Sequence, residues 1–334
     1  MKPSPADLAP VKDTLESVLS QVRQVVVGKH QVLKYLAAGM ITEGCHILFE
    51  DMPGLAKSVM ASAVSHASGC EFRRIQFTPD LLPGDITGTS MYNQSEGQFT
   101  FRRGPIFCNF LLADEINRAS PKTQSALLEA MAEKQVSVEG TTYRLPAPFM
   151  VLATQNPVEQ EGTYPLPEAQ LDRFMLKLSM GYPSRDEEKD ILKRRAQRGR
   201  DSFDVKAVAS AESLVRLAKI VETVVVTEPI YDYIADIIDG TRRHPDLHAG
   251  SSPRGSLALF KLARSWAAIH GRPYVTPDDV RELVVPVLAH RLILKPQARL
   301  AGRTTKTVLE DILQKTAVPK FTNAVAATPR SIAP

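Results

Sequence analysis

The feature that most restricts the fold of this chain is an apolar run that leads through a tight loop into a Lys-Ser pair and a helix. Residues 46–50 predict a buried strand, residues 51–56 contain a proline and a glycine, and residues 58–68 have helical periodicity. Such a loop can hold phosphate groups, because its backbone N–H groups and the N-terminus of the helix both point toward the anion. In this arrangement Lys57 would reach the β- and γ-phosphates, and the Ser58 hydroxyl would ligate Mg²⁺.

The match to the phosphate-loop pattern G-x-x-x-x-G-K-[ST] is incomplete, because Asp51 and Ala56 hold its two glycine places. Aspartate tolerates a left-handed backbone better than most residues, so the turn itself can form. The charge matters more, since a carboxylate about 4 Å from a phosphate costs about 4 kcal/mol at an effective dielectric constant near 20. That cost vanishes if the carboxylate points to solvent or to Lys29. We expect nucleotide binding to persist, at an affinity equal to or below that of a loop with glycine at this place.

Short apolar runs alternate with turns and helical segments along the first half of the chain. The runs cover residues 46–50, 72–77, 106–113, 149–154 and 174–180. Strands that alternate with helices predict an α/β fold with a mostly parallel sheet that helices cover on both faces. Two further segments have alternating residues around a glycine and predict hairpins, one at 90–101 with Gly97 near its turn and one at 136–145 with Glu139-Gly140 at its turn.

Changes in composition divide the chain into a sheet domain and a helical domain. Prolines and missing periodicity predict a loose lead-in over residues 1–14, before a sheet domain at 15–185. A charged helix and linker follow at 186–204. Helical periodicity then predicts an all-α domain at 205–300, and a short helix with a basic tail at 301–334.

Two later strand ends carry side chains that suit phosphoryl chemistry. The apolar residues 110–113 lead directly into Asp114 and Glu115. At such a strand end the aspartate can hold hydrated Mg²⁺ and the glutamate can polarise the attacking water. Asn156 follows the next predicted strand and could hydrogen-bond the γ-phosphate or that water.

In this order the elements resemble those of the AAA+ ATPases, and more narrowly the MoxR family. The narrower resemblance rests on six segments: PGLAKS at 53–58, FTPDLLPGDITG at 77–88, DEINRA at 114–119, ATQNP at 153–157, PEAQLDRF at 167–174 and SPR at 252–254. It implies a P-loop AAA+ core, with a five-stranded parallel sheet between helices, and an all-α lid. It also implies a helix-2 insert at about 78–104 and a pre-sensor hairpin at about 136–145.

The resemblance further implies ATP and Mg²⁺ as ligands and a role for each matched residue. The nucleotide-binding positions are Val27, Gly28, Asp51, Met52, Pro53, Gly54, Leu55, Ala56, Lys57 and Ser58, and the metal positions are Ser58 and Asp114. For catalysis it implies Glu115 in the Walker B strand, Asn156 as sensor 1, Arg173 as an arginine finger and Arg254 as sensor 2. An arginine finger acts on the nucleotide of the neighbouring subunit, so this role requires a ring, which the family implies to be a hexamer.

Three functions remain open on these grounds. The first is an ATP-hydrolysing, chaperone-like remodeller or activator of a client protein, as the MoxR resemblance implies, often with a von Willebrand factor A-domain partner. The second is a nucleotide-sensing scaffold with weak hydrolysis, for which Asp51 is the only support. The third is an ATPase subunit like that of magnesium chelatase.

Composition removes several other classes of protein. Among the 334 residues, Lys and Arg exceed Asp and Glu by only 4. Residues 291–334 alone carry a surplus of 6, so the remaining body has a charge of −2 and offers no basic surface for nucleic acid. The apolar runs are far shorter than the roughly 18 residues of a membrane span, and the N-terminus lacks an apolar signal segment. Three widely spaced cysteines are typical of buried thiols, so we expect a cytoplasmic protein without disulfides.

Overall fold

The computed structural model describes residues 4–95, 97–157 and 162–319. The strands in these residues are β1 (Ile47–Glu50), β2 (Phe72–Gln76), β3 (Gly88–Asn93), β4 (Gln98–Arg103), β5 (Phe110–Asp114), β6 (Gln135–Val138), β7 (Thr141–Arg144), β8 (Met150–Gln155), β9 (Leu176–Leu178), β10 (Leu247–Ala249) and β11 (Ile293–Leu294). The described residues contain no other strand.

The helices of the described part begin before β1 and dominate after β9. They are α1 (Pro5–Arg23), α2 (His30–Met40), α3 (Lys57–Ala67), α4 (Pro83–Thr87), α5 (Pro121–Glu133), α6 (Glu168–Leu171), α7 (Arg185–Arg198), α8 (Ala211–Val221), α9 (Glu228–Arg243), α10 (Pro253–Ile269), α11 (Pro277–Leu288), α12 (Pro296–Leu300) and α13 (Thr305–Lys315). Short 3₁₀ turns follow β5 at Ile116–Arg118 and α11 at Ala289–Arg291.

The five strands of the main sheet lie in the order β2-β5-β8-β1-β9, and all neighbours pair in parallel. Strands β1, β5 and β8 are buried along nearly their whole length, because helices cover both faces of a parallel sheet. Alternate residues of β1 enter different cores: Ile47 and Phe49 pack with α1 to α3 and the helices after α7, whereas Leu48 packs with α5 on the other face. The predicted α/β sheet with a helical lid is confirmed.

Both predicted hairpins are present as antiparallel pairs outside the main sheet. Strands β3 and β4 pair from Gly88↔Arg103 to Asn93↔Gln98, within the segment predicted as the helix-2 insert. Strands β6 and β7 are joined by Glu139 and Gly140, which have φ values of 50° and 79°. Two residues with positive φ give the turn whose twist matches that of a tight hairpin.

The expectation of a loose lead-in over residues 1–14 is wrong for residues 5–14, because α1 already begins at Pro5. Ser4 and Asp7 form a capping box at its N-terminus, and Pro5 occupies a first-turn position where its missing N–H costs nothing. Leu8 and Val11 are fully buried, so this first half of the helix belongs to the core. The prolines therefore mark a helix start.

The helices after α7 form the lid, and they share a hydrophobic core with one face of the sheet. Thr276 begins α11 through a capping box with Asp279. The short helix expected after residue 300 is α13, while residues 320–334 of the predicted basic tail lie outside the described residues. In the part of the chain that the structure describes, no helix is both long and apolar enough to cross a membrane.

Candidate nucleotide-binding site

The loop between β1 and α3 has the backbone of a phosphate-binding loop. Gly54 has a φ of 85°, and Ala56, at the second glycine place of the pattern, has a left-handed φ of 57°. Helix α3 begins directly at Lys57, whose buried ammonium donates to the carbonyls of Asp51 (2.9 Å) and Met52 (3.2 Å). Burial lowers the pKa of Lys57, and the nearby carboxylates partly oppose this. The lysine is thus folded back over the loop, where a phosphate would meet it.

A cleft of about 370 Å³ opens at this loop and contains most of the predicted site residues. Its walls combine the loop, the ends of β2, β5 and β8, and the start of α3, because the carboxyl ends of parallel strands share one edge of a sheet. The lining residues are Asp51, Pro53, Gly54, Leu55, Ala56, Lys57, Ser58, Val59, Arg74, Gln76, Asp114, Glu115, Thr154 and Asn156. Of the positions expected to bind nucleotide, Met52, Val27 and Gly28 lie outside this cleft.

The carboxylate of Asp51 points away from the phosphate loop, toward the residues that follow β9. It accepts hydrogen bonds from the Ser179 hydroxyl (2.6 Å) and from the backbone N–H groups of Met180 (2.5 Å) and Gly181 (3.3 Å). The side chain is buried and occupied by these donors. Its partners are therefore these three donors rather than solvent or Lys29. Asp51 therefore connects the phosphate loop, through hydrogen bonds, to the residues that follow β9.

Removing the Asp51 side chain should therefore destabilise the protein without improving ATP binding. Asp51→Gly leaves the buried N–H of Met180 without its acceptor, a loss of roughly 1–3 kcal/mol and a fall in Tm of a few degrees. Asp51→Asn keeps one acceptor oxygen, so its Tm should lie between those of the wild type and Asp51→Gly. Thermal unfolding and ATP titration of the three proteins measure this. Tighter ATP binding by Asp51→Gly would restore the repulsion argument.

Val27 and Gly28 lie before α2, and Gly28 is close to Glu187 in the first turn of α7. Gly28 has a φ of 66°, and a Cβ there would collide with the carboxylate of Glu187. The ammonium of Lys29 donates to the carbonyl of Tyr182 (2.9 Å). The segment of Gly28 and Lys29 is thus attached to the same stretch of chain, 179–187, that holds Asp51.

The predicted metal position has oxygen donors of the kind that Mg²⁺ prefers. The Ser58 hydroxyl lies 3.4 Å from Oδ2 of Asp114, and both side chains line the cleft. The Thr154 hydroxyl donates to Oδ1 (2.5 Å) and orients the carboxylate, and Arg74 forms an ion pair with Oδ2 (2.7 Å). A hydroxyl and an oriented carboxylate at one cleft fit a magnesium ion, and Arg74 would share Oδ2 with it.

Glu115 is held by its neighbours at both its backbone and its carboxylate. Its φ is 55°, and its N–H donates to the Thr154 hydroxyl (2.8 Å). The carboxylate oxygen Oε2 accepts from Gln76 Nε2 (2.9 Å) and from Arg118 Nη1 (3.1 Å). A left-handed glutamate is strained, and here two donors fix its side chain at the cleft. This is the placement that a water-polarising base requires.

The two candidate arginines lie together in a second cleft, away from the phosphate loop. This cleft is about 470 Å³ in volume, and Asp172, Arg173, Arg254 and Arg291 are among its lining residues. Arg173 Nη1 donates to the carbonyl of Leu128 (2.6 Å). Arg254 lies in the first turn of α10, as predicted, with its side chain largely exposed.

Strand β1 separates the two clefts. The N–H of Met175 donates to the carbonyl of His46, so Arg173 lies at the amino edge of the sheet. Asp51 follows the opposite, carboxyl end of the same strand. The residues from His46 to Asp51, at roughly 3.3 Å each, place the two edges about 16 Å apart. One chain therefore does not bring Arg173 or Arg254 to its own phosphate loop.

The sequence patterns do not identify several contacts of the site. Arg74 and Gln76 lie in the run 72–77, which predicts a buried strand, yet of the residues in β2 only Ile75 is buried. Positions 74 and 76 share one face of this edge strand, and Gln76 pairs in register with Asp114. The period-2 spacing of two polar residues is the signal that could have identified them. No sequence pattern marks Ser179 or Arg291 as a partner.

Comparison with known proteins agrees with this geometry. The model of the ATPase family associated with various cellular activities (AAA) matches residues 46–176, and the AAA lid domain model matches residues 239–312. Chaperone MoxR1 of Mycobacterium tuberculosis is 42% identical over 98% of this chain and 88% of its own length. The chain belongs to the MoxR family of AAA+ ATPases.

The chain is also similar to three further proteins, to different extents. Protein YeaC of Bacillus subtilis, which is uncharacterized, is 46% identical over 96% of this chain and 98% of its own length. A crystal structure of a candidate ATPase from Cytophaga hutchinsonii superposes with a TM-score of 0.88 at 40% identity, covering 94% of this chain and 98% of that one. The magnesium-chelatase 38 kDa subunit of Acidiphilium rubrum is more distant, at 29% identity over 63% of this chain.

Proposed function

We propose that this MoxR-family protein binds ATP with Mg²⁺ in the first cleft, hydrolyses it, and works as a ring that remodels or activates a partner protein. The observation that carries the proposal is the placement of the phosphate loop and the two arginines at opposite edges of one sheet. A neighbouring subunit would supply Arg173 and Arg254 to complete each site. Head-to-tail contacts of this kind close into rings, and the family implies six subunits.

The chemistry assigned to the first cleft follows from where charge builds up in phosphoryl transfer. The transition state spreads charge over the phosphoryl oxygens, so fixed cations and donors stabilise it. Lys57 and the loop N–H groups would hold the phosphates, and Glu115 would polarise the attacking water. Asn156 lines the same cleft and would hydrogen-bond the γ-phosphate or the water. Ser58 and Asp114 would hold Mg²⁺, which would supply positive charge to neutralise the phosphates.

Two alternative functions have less support. The nucleotide-sensing scaffold rests on repulsion by Asp51, and the Asp51 carboxylate is occupied by Ser179, Met180 and Gly181 instead. A magnesium-chelatase-like subunit has support only from relatives of distant identity. The name Chaperone MoxR1 favours the remodelling function over both.

The β3–β4 hairpin is our candidate for the client-binding surface. Tyr92 and Phe99 face each other across its two strands and are 56% and 70% exposed. Exposed aromatic side chains on an insertion are suited to transient contact with a protein. We extend the proposal to a client with a von Willebrand factor A domain as partner, and to action in the cytoplasm.

Shared sites make a specific prediction about protein concentration. If each site needs arginines from a neighbour, ATP turnover per subunit should rise steeply with concentration and level off once assembly is complete. Turnover assays combined with light scattering at the same concentrations measure this. Constant turnover per subunit across a range in which the protein is monomeric would contradict the proposal.

A further inference from the structure

We propose that Asp172 is a positioning residue that sets both Arg173 and Arg254 for the nucleotide of the neighbouring subunit, and that Arg291 of the lid holds Asp172 in place. The inference rests on the proposed function, since both arginines act on a neighbour only in a ring. It goes further by naming two residues through which the lid would control the donated arginines.

The carboxylate of Asp172 joins three lid residues at the second cleft. It forms an ion pair with Arg291 Nη1, accepts a hydrogen bond from the Ser252 hydroxyl (3.2 Å), and meets Arg254 Nη1 at 3.5 Å. The Asp172 side chain is only 17% exposed. One carboxylate of the core therefore lies between two lid guanidinium groups, one of which is the sensor 2 candidate.

Arg291 binds the backbone on both sides of Arg173. Its guanidinium donates to the carbonyl of Asp172 (3.0 Å) and to the carbonyl of Phe174 (2.8 Å). The ring of the adjacent His290 also bonds the carbonyl of Phe174 (2.9 Å). Arg173 is thus the middle residue of a three-residue segment whose two flanking carbonyls are bound to the lid. A shift of the lid would therefore also move the backbone at Arg173.

The two arginines that share Asp172 differ in how firmly they are held. Arg291 is only 3% exposed, and its Nε donates to the carbonyl of Val287 (2.8 Å). Arg254 is 61% exposed, and its Nη1 lies 3.5 Å from the Asp172 carboxylate. Burial lowers the pKa of Arg291, and Asp172 opposes that effect. Arg291 is suited to a fixed anchor, whereas Arg254 is free to turn from Asp172 to a phosphate.

Mixed rings can test the role of Asp172 in the subunit that donates the arginines. A donor carrying Lys57→Ala cannot hold phosphate, and an acceptor carrying Arg173→Ala cannot supply the finger. Turnover in the mixture therefore arises only where a donor arginine serves an acceptor site. Adding Asp172→Asn to the donor should lower kcat on the order of 10- to 100-fold with KM nearly unchanged, because the arginines are misplaced while ATP binding is intact. The same change in the acceptor should have a much smaller effect.

Controls separate positioning from loss of structure. Asp239→Asn in the donor removes a different acidic charge, one paired with Arg243 on the surface of the lid helix α9, and should leave turnover unchanged. Asp172→Glu keeps the ion pair with Arg291, so it should preserve assembly by light scattering and restore part of kcat.

The outcomes distinguish this inference from the proposed function. An inactive mixture of the Lys57→Ala donor and the Arg173→Ala acceptor would overturn the shared site itself. An active mixture in which donor Asp172→Asn behaves like Asp239→Asn would overturn only the positioning role. Equal losses from donor and acceptor placement would also overturn it, because the residue would then act within its own subunit.

Discussion

Replacing Arg173 with alanine is expected to lower kcat for ATP hydrolysis by about 10³-fold or more, while ATP affinity stays almost unchanged. An arginine that reaches the transferred phosphoryl group from a neighbour stabilises charge that is present only in the transition state, an effect of about 10³ to 10⁵ in kcat. In its own subunit Arg173 lies at the amino edge of the sheet, in a different cleft from the phosphate loop. Loss of the Arg173 side chain should therefore leave ATP affinity almost unchanged.

Steady-state turnover and ATP titration of the Arg173→Ala variant test this directly. Arg243→Ala is the matched control, because Arg243 is a highly exposed arginine of α9 whose ion-pair partner is Asp239. The control should keep wild-type turnover. If Arg173→Ala instead weakened ATP binding and left kcat intact, Arg173 would be part of the subunit's own binding site and the assignment would be wrong.

The second large effect is expected for Glu115→Gln, with turnover falling by about 10²- to 10⁴-fold and ATP binding retained. Glutamine keeps an oxygen that can accept from Gln76 and Arg118, and it carries the same backbone strain at a φ of 55°. The substitution therefore removes the charge that polarises water and little else. Glu129→Gln, on an exposed position of α5, is the control for the change of residue type.

The Glu115→Gln variant also tests remodelling, because it should remain in the ATP state. A client protein should then stay bound with ATP and be released with ADP, as measured by co-purification under the two conditions. Turnover equal to that of the wild type would contradict the role of Glu115. Recovery of no client in either nucleotide state would count against remodelling.

The sequence predicted the parts of the site that lie at strand ends. Lys57, Asp114 and Asn156 each follow an apolar run, and parallel strands bring such positions to one edge regardless of their distance in the chain. The three central strands β1, β5 and β8 are recognisable because a strand buried on both faces needs a continuous apolar run.

The sequence could not predict contacts that depend on side-chain direction or on the docking of the lid. The direction of the Asp51 carboxylate depends on N–H groups after β9, about 130 residues away along the chain. Arg291 and Asp172 are separated by a similar number of residues along the chain. They pair because the 3₁₀ turn after α11 packs against the end of α6. A motif identifies Arg173 and Arg254 separately, but only the packed structure places both in one cleft.

The phosphate loop and Gly28 are both attached to the stretch of chain that leads into and begins α7. The position of α7 therefore affects both segments. Residues 179–182 bind Asp51 and Lys29, and Glu187 in the first turn of α7 packs against Gly28. A rotation of α7 would therefore displace the phosphate loop and the chain around Gly28 together. Because α7 also leads into the lid, we expect a movement of the lid to change the positions of both segments.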